Sequence, residues 1–134
     1  MFLLDTNVLS EMLKKHPDSN VLARVKSLGL ETYASEVSLF EIRYGAMLRD
    51  DAEQFWLKLQ HVFIPCVKWI PLNTDIHLRA ADIAAFLEKK GLRVGNEDCW
   101  IAATAIENKR ILVTRNIRHF RRILGLKVEN WFRG

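Results

Sequence analysis

Four polar side chains lie at or beyond the ends of short apolar segments, and their types suit a metal ion. Asp5 directly follows the first apolar segment. Glu41 and Asp98 lie in predicted helices, and Asn116 follows a later apolar strand. Carboxylates that lie close together raise one another's pKa, and a divalent cation relieves their repulsion. Because this set contains no His or Cys, it favours Mg²⁺ or Mn²⁺ over zinc.

Each of the three acids also has a purely structural interpretation. Asp5 is a good residue for capping the N-terminus of a helix. Glu41 closes a capping box that starts at Ser38, unless the helix begins as early as Ser35, which would place the acid too deep to cap. Asp98 suits the first turn of a helix, where an acid complements the helix dipole. Only the combination of these positions points to a shared site.

The elements that must position these side chains follow from apolar periodicity. Strands are predicted at residues 2–4, 32–34, 67–72, 111–113 and 127–129. Helices are predicted at residues 6–16, 18–28, 37–47, 53–62, 75–90 and 96–108, with a short one after Asn116. Short apolar strands that alternate with helices indicate an α/β fold, with a mainly parallel central sheet and helices on both faces. Ligands bind such sheets at the carboxyl ends of the strands, where the polar side chains lie.

Length and composition predict one globular domain that spans residues 1–134. Hydrophobic residues make up 49% and charged residues 27% of the chain, which excludes disorder and collagen-like repeats. No apolar run approaches the roughly 20 residues that a membrane span needs, and no basic segment precedes the first apolar run as in a signal peptide. Cys66 and Cys99 are expected to be free, buried thiols. These features predict a cytoplasmic protein without a membrane anchor.

The net charge of +4 is unevenly distributed, because residues 1–67 carry −2 and residues 68–134 carry +6. Much of the excess lies in residues 109–122, which contain no acid. Ile117, Phe120 and Leu124 are predicted to share the buried face of a helix there. Four arginines remain for solvent or for an RNA backbone: Arg115, Arg118, Arg121 and Arg122. Both a solvated helix face and an RNA-binding track are consistent with this pattern.

Four blocks of the chain resemble, in order, the conserved blocks of PIN-domain ribonucleases, and more closely of VapC-like toxins from toxin–antitoxin pairs. The blocks are FLLDTNVLS at 2–10, SEVSLFEIRYGA at 35–46, DCWIAA at 98–103 and LVTRNIRHF at 112–120. The resemblance covers nearly the whole chain and implies the three-layer PIN-like fold. It also implies that Asp5, Glu41 and Asp98 hold the metal and that Asn116 belongs to the catalytic set.

The resemblance implies a metal-dependent endoribonuclease that cleaves RNA, such as a tRNA or another structured RNA, with water activated by Mg²⁺. Thr6, Asn116 and Thr114 are expected to orient ligands or waters around the metal. Many PIN domains carry a fourth acid at the position of Asn116, so one tightly held metal and a weaker second one are expected. The expected partners are a VapB-like antitoxin and a second copy of the chain in a homodimer. Phe55, Trp56 and Trp69 are expected to line an antitoxin groove or to pack in the core.

Two other functions were compared with this hypothesis. A phosphatase of the haloacid-dehalogenase type needs a second Asp two residues after the first, where this chain has Asn7. A non-catalytic RNA- or antitoxin-binding module on a PIN scaffold is the remaining alternative, and the uncharged Asn116 is the feature in its favour. The role of Glu97, an acid next to the predicted ligand Asp98, stays open between the helix dipole and a water-mediated metal contact.

The RNA-binding interpretation of the four arginines makes a quantitative prediction. If each contacts one phosphate of a single strand, log affinity against log salt concentration should have a slope of about −2.8, at −0.7 per contact. RNA titrations at several salt concentrations measure this slope. A slope near zero would refute the track.

Overall fold

The structure of the chain is a computed structural model, and it describes residues 1–133. The strands are β1 (Phe2–Leu4), β2 (Tyr33–Ser35), β3 (Lys68–Ile70), β4 (Ile111–Val113) and β5 (Val128–Glu129). The helices are α1 (Thr6–Met12), α2 (Ser19–Leu28), α3 (Glu36–Met47), α4 (Ala52–Val62), α5 (Thr74–Lys89), α6 (Asn96–Glu107) and α7 (Ile117–Phe120). Each predicted element is present: β1 and β4 have the predicted bounds, and the ends of the other elements differ by at most a few residues.

All strand pairs among the described residues are parallel, as the short apolar strands predict. β1 pairs with β4, and β4 pairs with β5, while β2 and β3 form a separate two-stranded ladder. β2 lies against β1. The strands are only two or three residues long, so the sheet is small and the carboxyl ends of its strands lie close together. The backbone N–H of Asp5 extends the β1–β4 ladder by donating to the carbonyl of Val113 at 2.9 Å.

The hydrophobic core consists of two clusters, one on each face of the sheet. Leu3 and Leu112 contribute to a cluster with residues of α5, α6 and α7. Leu4 and Val113 point the opposite way, into a cluster with residues of α1, α2, α3 and α4. Successive side chains of a strand alternate between its faces, and this alternation produces the three-layer α/β arrangement. The predicted α/β class, with a parallel sheet between two layers of helices, is confirmed.

Helix ends decide between the interpretations of Glu41. Ser35 caps α3 by accepting a hydrogen bond from the backbone N–H of Val37 at 3.1 Å. Glu41 therefore lies in the second turn of α3, too deep to act as the acid of a capping box. Asp5 does cap α1, since its carboxylate accepts from the backbone N–H of Thr6. Asp5 thus serves both the helix and the surface described below.

The N-cap position of α6 is Gly95, and no side chain caps that helix. Two local predictions are wrong. α7 ends at Phe120, so Leu124 is 75% exposed and Ile123 is buried in its place. Cys66 is exposed because it ends a short 3₁₀ turn at the surface, whereas Cys99 is buried as predicted.

The positions of Asn116 and of three aromatic side chains bear on two further predictions. Asn116 is positioned at the start of α7, but its side chain makes no capping hydrogen bond. Phe55, Trp56 and Trp69 are partly buried and pack against the cluster that contains Leu4. None of the helices within residues 1–133 is long and apolar enough to cross a membrane.

Small side chains in α6 allow that helix to pack closely, and a larger one should destabilise the fold. Ala103 is fully buried. We expect Ala103→Leu to lower the free energy of unfolding by about 1–3 kcal/mol, since extra methylenes in a packed core force neighbours to shift. Urea unfolding followed by circular dichroism measures the change. Ala85→Leu, on the exposed face of α5, is the matched control, and equal stability of the two variants would contradict tight packing of α6.

Candidate active site

A cavity of about 430 Å³ opens at the carboxyl ends of β1 and β4. It is lined by Asp5, Thr6, Asn7, Ser10, Glu11, Lys14, Glu41, Asp98, Arg115, Asn116 and Phe132. The sequence predicts that three acids, Asn116 and Thr6 meet at this edge, and the cavity contains all of them. The five predicted residues come from four separate stretches of the chain, so the fold itself brings them together.

Asp5 is the most deeply placed of the three acids, with only 4% of its surface exposed. Its carboxylate accepts hydrogen bonds from the backbone N–H of Thr6 at 2.8 Å, from Asn7 Nδ2 at 3.0 Å and from Thr114 Oγ1 at 2.7 Å. Burial raises the pKa of Asp5 from 3.8 to about 6, although the bonds from Thr114 and Thr6 oppose the shift. The negative charges of Asp98 and Glu41 raise this pKa further.

Glu41 is held by a chain of two hydroxyl groups. Thr6 Oγ1 donates to Glu41 Oε1 at 2.6 Å and lies 2.7 Å from Ser38 Oγ. A hydroxyl has a single hydrogen, so Ser38 donates to Thr6 while Thr6 donates to Glu41. Burial raises the pKa of Glu41, against the bond from Thr6, and the charges of Asp98 and Glu97 add to the rise. Thr6 therefore orients the second acid, in the manner the resemblance implies.

Asp98 lies in the first turn of α6, and its partner is a histidine from α7. Asp98 Oδ2 is 3.3 Å from Nδ1 of His119. Burial raises the pKa of Asp98, an effect that the neighbouring His119 opposes. All three acids therefore have raised pKa values with the same leading cause, the loss of water around the carboxylate.

Thr114 and Asn116 complete this edge in different ways. Thr114 is fully buried and does not line the cavity. Its hydroxyl donates to Asp5 and accepts from the backbone N–H of Asn116 at 3.0 Å and from Asn7 Nδ2 at 3.3 Å. Thr114 therefore acts on the site through Asp5, Asn7 and the backbone of Asn116, all of which line the cavity. Asn116 itself lines the cavity.

The predicted RNA-binding arginines do not share one location. Arg115 lines the cavity, and its guanidinium lies 4.8 Å from the centre of the Phe132 ring. Arg118, Arg121 and Arg122 are exposed but do not line this cavity. The RNA-binding role of all four stays a prediction.

Sequence reasoning missed several residues of this region, among them Phe132 in the cavity lining. Asn7, Ser10, Glu11 and Lys14 are spaced at i, i+3, i+4 and i+7, so the polar face of the helix predicted at residues 6–16 indicated them. Glu11 also accepts from the backbone N–H of Asp18 at 2.8 Å and pairs with Lys14 at 2.9 Å. The contact of His119 with Asp98 had no local signal, because 21 residues separate them in the chain.

The carboxylates line one cavity without forming a ready-made metal cage. Within residues 1–133, no three His, Cys, Asp or Glu side chains are arranged closely enough to hold an ion. Glu41 is engaged by Thr6, and Asp98 by His119. Glu97 is exposed and lies outside the cavity lining. The donor set, oxygen atoms on mutually repelling carboxylates, nevertheless suits a hard divalent cation.

Comparison with known proteins supports the resemblance drawn from the four blocks. The family model of the PIN domain matches residues 2–125. The chain belongs to the PIN domain family. It is 34% identical to ribonuclease VapC2 of Rickettsia felis, with 98% of each chain covered. It is 31% identical to the tRNA(fMet)-specific endonuclease VapC of Salmonella typhimurium, with 97% of each covered.

Solved structures give the same result for this PIN domain. The DNA-bound VapBC complex from Salmonella typhimurium has a chain that superposes with a TM-score of 0.88 at 30% identity, with 97% of each chain covered. The VapBC2 complex of Rickettsia felis, bound to a promoter DNA fragment, has a TM-score of 0.85 at 32% identity, with 97% of this chain and 98% of that chain covered. The predicted VapC-like membership is confirmed.

The raised pKa of Asp5 predicts a pH dependence of stability. Asp5 keeps its proton to about pH 6 in the folded chain but only to about pH 4 when unfolded. The folded state therefore binds more protons between these values, and the free energy of unfolding falls as the pH rises through them. We expect the unfolding free energy of the unmodified protein, minus that of Asp5→Ala, to fall by about 2 kcal/mol from pH 4 to pH 7. Urea unfolding in buffer with EDTA measures this difference.

Asp18 provides a control, because its contribution to stability should change with pH in the opposite direction. Backbone hydrogen bonds, first from Arg133 and then from Val21, lower the pKa of Asp18. The unfolding free energy of the unmodified protein, minus that of Asp18→Ala, should therefore rise with pH at the acidic end of the range. A flat or rising difference for Asp5→Ala would contradict the assigned environment of Asp5.

Proposed function

We propose that the protein is a Mg²⁺-dependent endoribonuclease and the toxin of a VapBC-type toxin–antitoxin pair. The observation that carries this proposal is the meeting of Asp5, Glu41 and Asp98 in one cavity of a PIN domain. The names of its relatives, ribonuclease VapC2 and tRNA(fMet)-specific endonuclease VapC, support RNA as the substrate. The proposed cofactor is Mg²⁺, with Mn²⁺ as an alternative of similar ligand preference.

The proposed roles follow from the contacts at the site. Asp5, Glu41 and Asp98 hold the cation, which when bound supplies a hydroxide nucleophile and neutralises charge on the scissile phosphate. Thr6 orients Glu41, and Thr114 orients Asp5 through the hydrogen bonds described above. Asn116 offers an uncharged oxygen or N–H at the rim of the cavity.

The electrostatics of the acids support a bound cation. The pKa values of all three carboxyls are raised, mainly by burial and further by neighbouring negative charges. A cation among them would offset the cost of ionising the buried carboxyls, because it favours the ionised form of every carboxylate at once. Thr6 engages one carboxylate oxygen of Glu41 and His119 lies beside one oxygen of Asp98, so the second oxygen of each acid would hold the ion.

Partners are proposed from two different observations. The solved relatives named above are VapBC complexes, which supports a VapB-like antitoxin as partner of this chain. A homodimer is supported by an apolar strip on α3, where Phe40 is 63% exposed and stacks on Tyr44 with ring centres 6.0 Å apart. Leu48, just beyond α3, is also largely exposed. Such exposed apolar patches commonly mark protein interfaces.

The alternative of a non-catalytic binding module keeps one observation in its favour. Asn116 lines the cavity and brings no charge to it, so the site has one carboxylate fewer than a site with four acids. A module of this kind would bind RNA or an antitoxin with no cleavage. The following experiment separates it from the nuclease.

Replacing any one of the three acids should abolish Mg²⁺-dependent cleavage. We expect Asp5→Ala, Glu41→Ala and Asp98→Ala each to lower the rate of cleavage of total RNA by more than about a hundredfold, because each removes a ligand. EDTA should have the same effect on the unmodified protein. Mg²⁺ should also raise the melting temperature of the unmodified protein but not of the variants, because it binds only the intact folded site.

A matched control is Asp75→Ala. Asp75 lies in the first turn of α5, as Asp98 does in α6, but it lies outside the cavity lining. Its variant should cleave RNA and respond to Mg²⁺ like the unmodified protein. Cleavage that persists in EDTA, or full activity of an acid variant, would count against the proposed site.

A further inference from the structure

A second groove continues from the acidic cavity, and its lining includes four basic residues and a single acid. It has a volume of about 950 Å³ and shares Ser10, Lys14 and Glu41 with the cavity. Its remaining charged lining residues are Lys15, Arg49 and Lys58, from the α1–α2 connection, the α3–α4 connection and α4. We refer to this surface as the basic groove. Any molecule that lies along it reaches Glu41 at one end.

The four cations of the basic groove differ in how far they are already neutralised. Lys14 pairs with Glu11 at 2.9 Å. Arg49 pairs with Asp51, with Nε to Oδ1 at 2.7 Å. Lys15 and Lys58 make no ion pair within the part of the chain that the structure describes. These two ammonium groups therefore carry the uncompensated positive charge of the groove.

Arg49 is held in a fixed plane by two neighbours. Its guanidinium donates two hydrogen bonds to Asp51, at 2.7 and 3.1 Å, and its central carbon lies 3.8 Å from the centre of the Phe55 ring. Asp51 fixes its orientation in the manner of a bidentate pair, and Phe55 covers one face. Guanidinium planes and aromatic rings are the surfaces on which single-stranded RNA bases stack. Arg49 and Phe55 together thus offer a flat platform beside the two free lysines.

We propose that a single-stranded segment of the RNA substrate enters the active site through the basic groove. Lys15 and Lys58 contact its phosphates, and a base stacks on the Arg49 platform. This inference rests on the proposed nuclease function. It also differs from the arginine track predicted from the sequence, because Arg118, Arg121 and Arg122 line neither the cavity nor the groove.

An acidic peptide is the other polyanion that this groove could attract. Peptide carboxylates would use the lysines, but they would leave the flat platform without a matching partner. A nucleic acid strand uses both features, since it alternates phosphates with planar bases. The observations therefore favour RNA, and the peptide becomes an outcome of the test.

The first experiment measures the phosphate contacts. Binding of a fluorescein-labelled single-stranded oligoribonucleotide of mixed sequence is followed in EDTA, which prevents cleavage, at several salt concentrations. Lys15→Gln/Lys58→Gln should weaken binding and make the log–log salt slope shallower by about 1.4, or 0.7 per lost contact. The matched control is Lys89→Gln/Lys90→Gln, at the end of α5 on the opposite side of the sheet, which should leave affinity and slope unchanged.

The second experiment separates stacking from charge at Arg49. Arg49→Lys keeps the positive charge but removes the plane, and Arg49→Ala removes both. We expect both variants to bind RNA about fivefold to a hundredfold more weakly, as loss of one stacked base implies. The salt slope of Arg49→Lys should stay that of the unmodified protein, because its positive charge is retained beside Asp51. Full affinity of Arg49→Lys would overturn the stacking role.

The outcomes distinguish this inference from the proposed function. If the unmodified protein neither binds nor cleaves RNA, the nuclease proposal fails and the groove proposal fails with it. If it cleaves RNA but the Lys15/Lys58 variant binds like its control, only the groove proposal is overturned. If only the variant Arg118→Gln/Arg121→Gln/Arg122→Gln had a shallower salt slope, the phosphate contacts would belong to the arginine track instead. If the Lys15/Lys58 variant no longer co-purified with the antitoxin but bound RNA with unchanged affinity, the groove would be a peptide site and the RNA assignment would be overturned.

Discussion

Burial of three carboxylates in one cavity is the constraint around which this edge of the sheet is organised. Asp5, Glu41 and Asp98 share the cavity, and the loss of water around each carboxylate raises its pKa. Side chains from distant parts of the chain oppose these shifts, because hydroxyls donate to Asp5 and Glu41 and His119 lies 3.3 Å from Asp98. Each acid therefore depends on a partner that its own local sequence does not contain.

The sheet brings the acids together by a simple geometric route. Parallel pairing puts the carboxyl ends of β1 and β4 side by side, so the residues that follow both strands meet at one edge. Asp5 and Thr114 occupy equivalent positions, one residue past each strand, and are joined by a 2.7 Å hydrogen bond. Alternation of Leu3 and Leu4 between the two cores holds the strand in register. A one-residue slip would bury Asp5 in a hydrophobic cluster.

The sequence allowed the strands, the order of the helices and the three acids to be predicted, because these depend on local periodicity and on residues next to strand ends. Contacts between distant residues could not be predicted. Thr6 and Glu41 are 35 positions apart, and Asp5 and Thr114 are 109 apart. The basic groove is of the same kind, since it takes single residues from three separate parts of the chain. A charge run such as residues 109–122 is visible in a sequence, but an assembled patch is visible only in the fold.

The hydroxyl chain from Ser38 through Thr6 to Glu41 runs in one direction only, because each hydroxyl has a single hydrogen. Ser38 donates to Thr6, Thr6 donates to Glu41, and the carboxylate is the acceptor at the end of the chain. If Glu41 lost its contact with Thr6, one hydrogen would be left without an acceptor, because two hydroxyls alone form only one hydrogen bond with each other. Thr6 engages Oε1 of the carboxylate, so a cation bound through Oε2 would leave both hydrogen bonds of the chain intact.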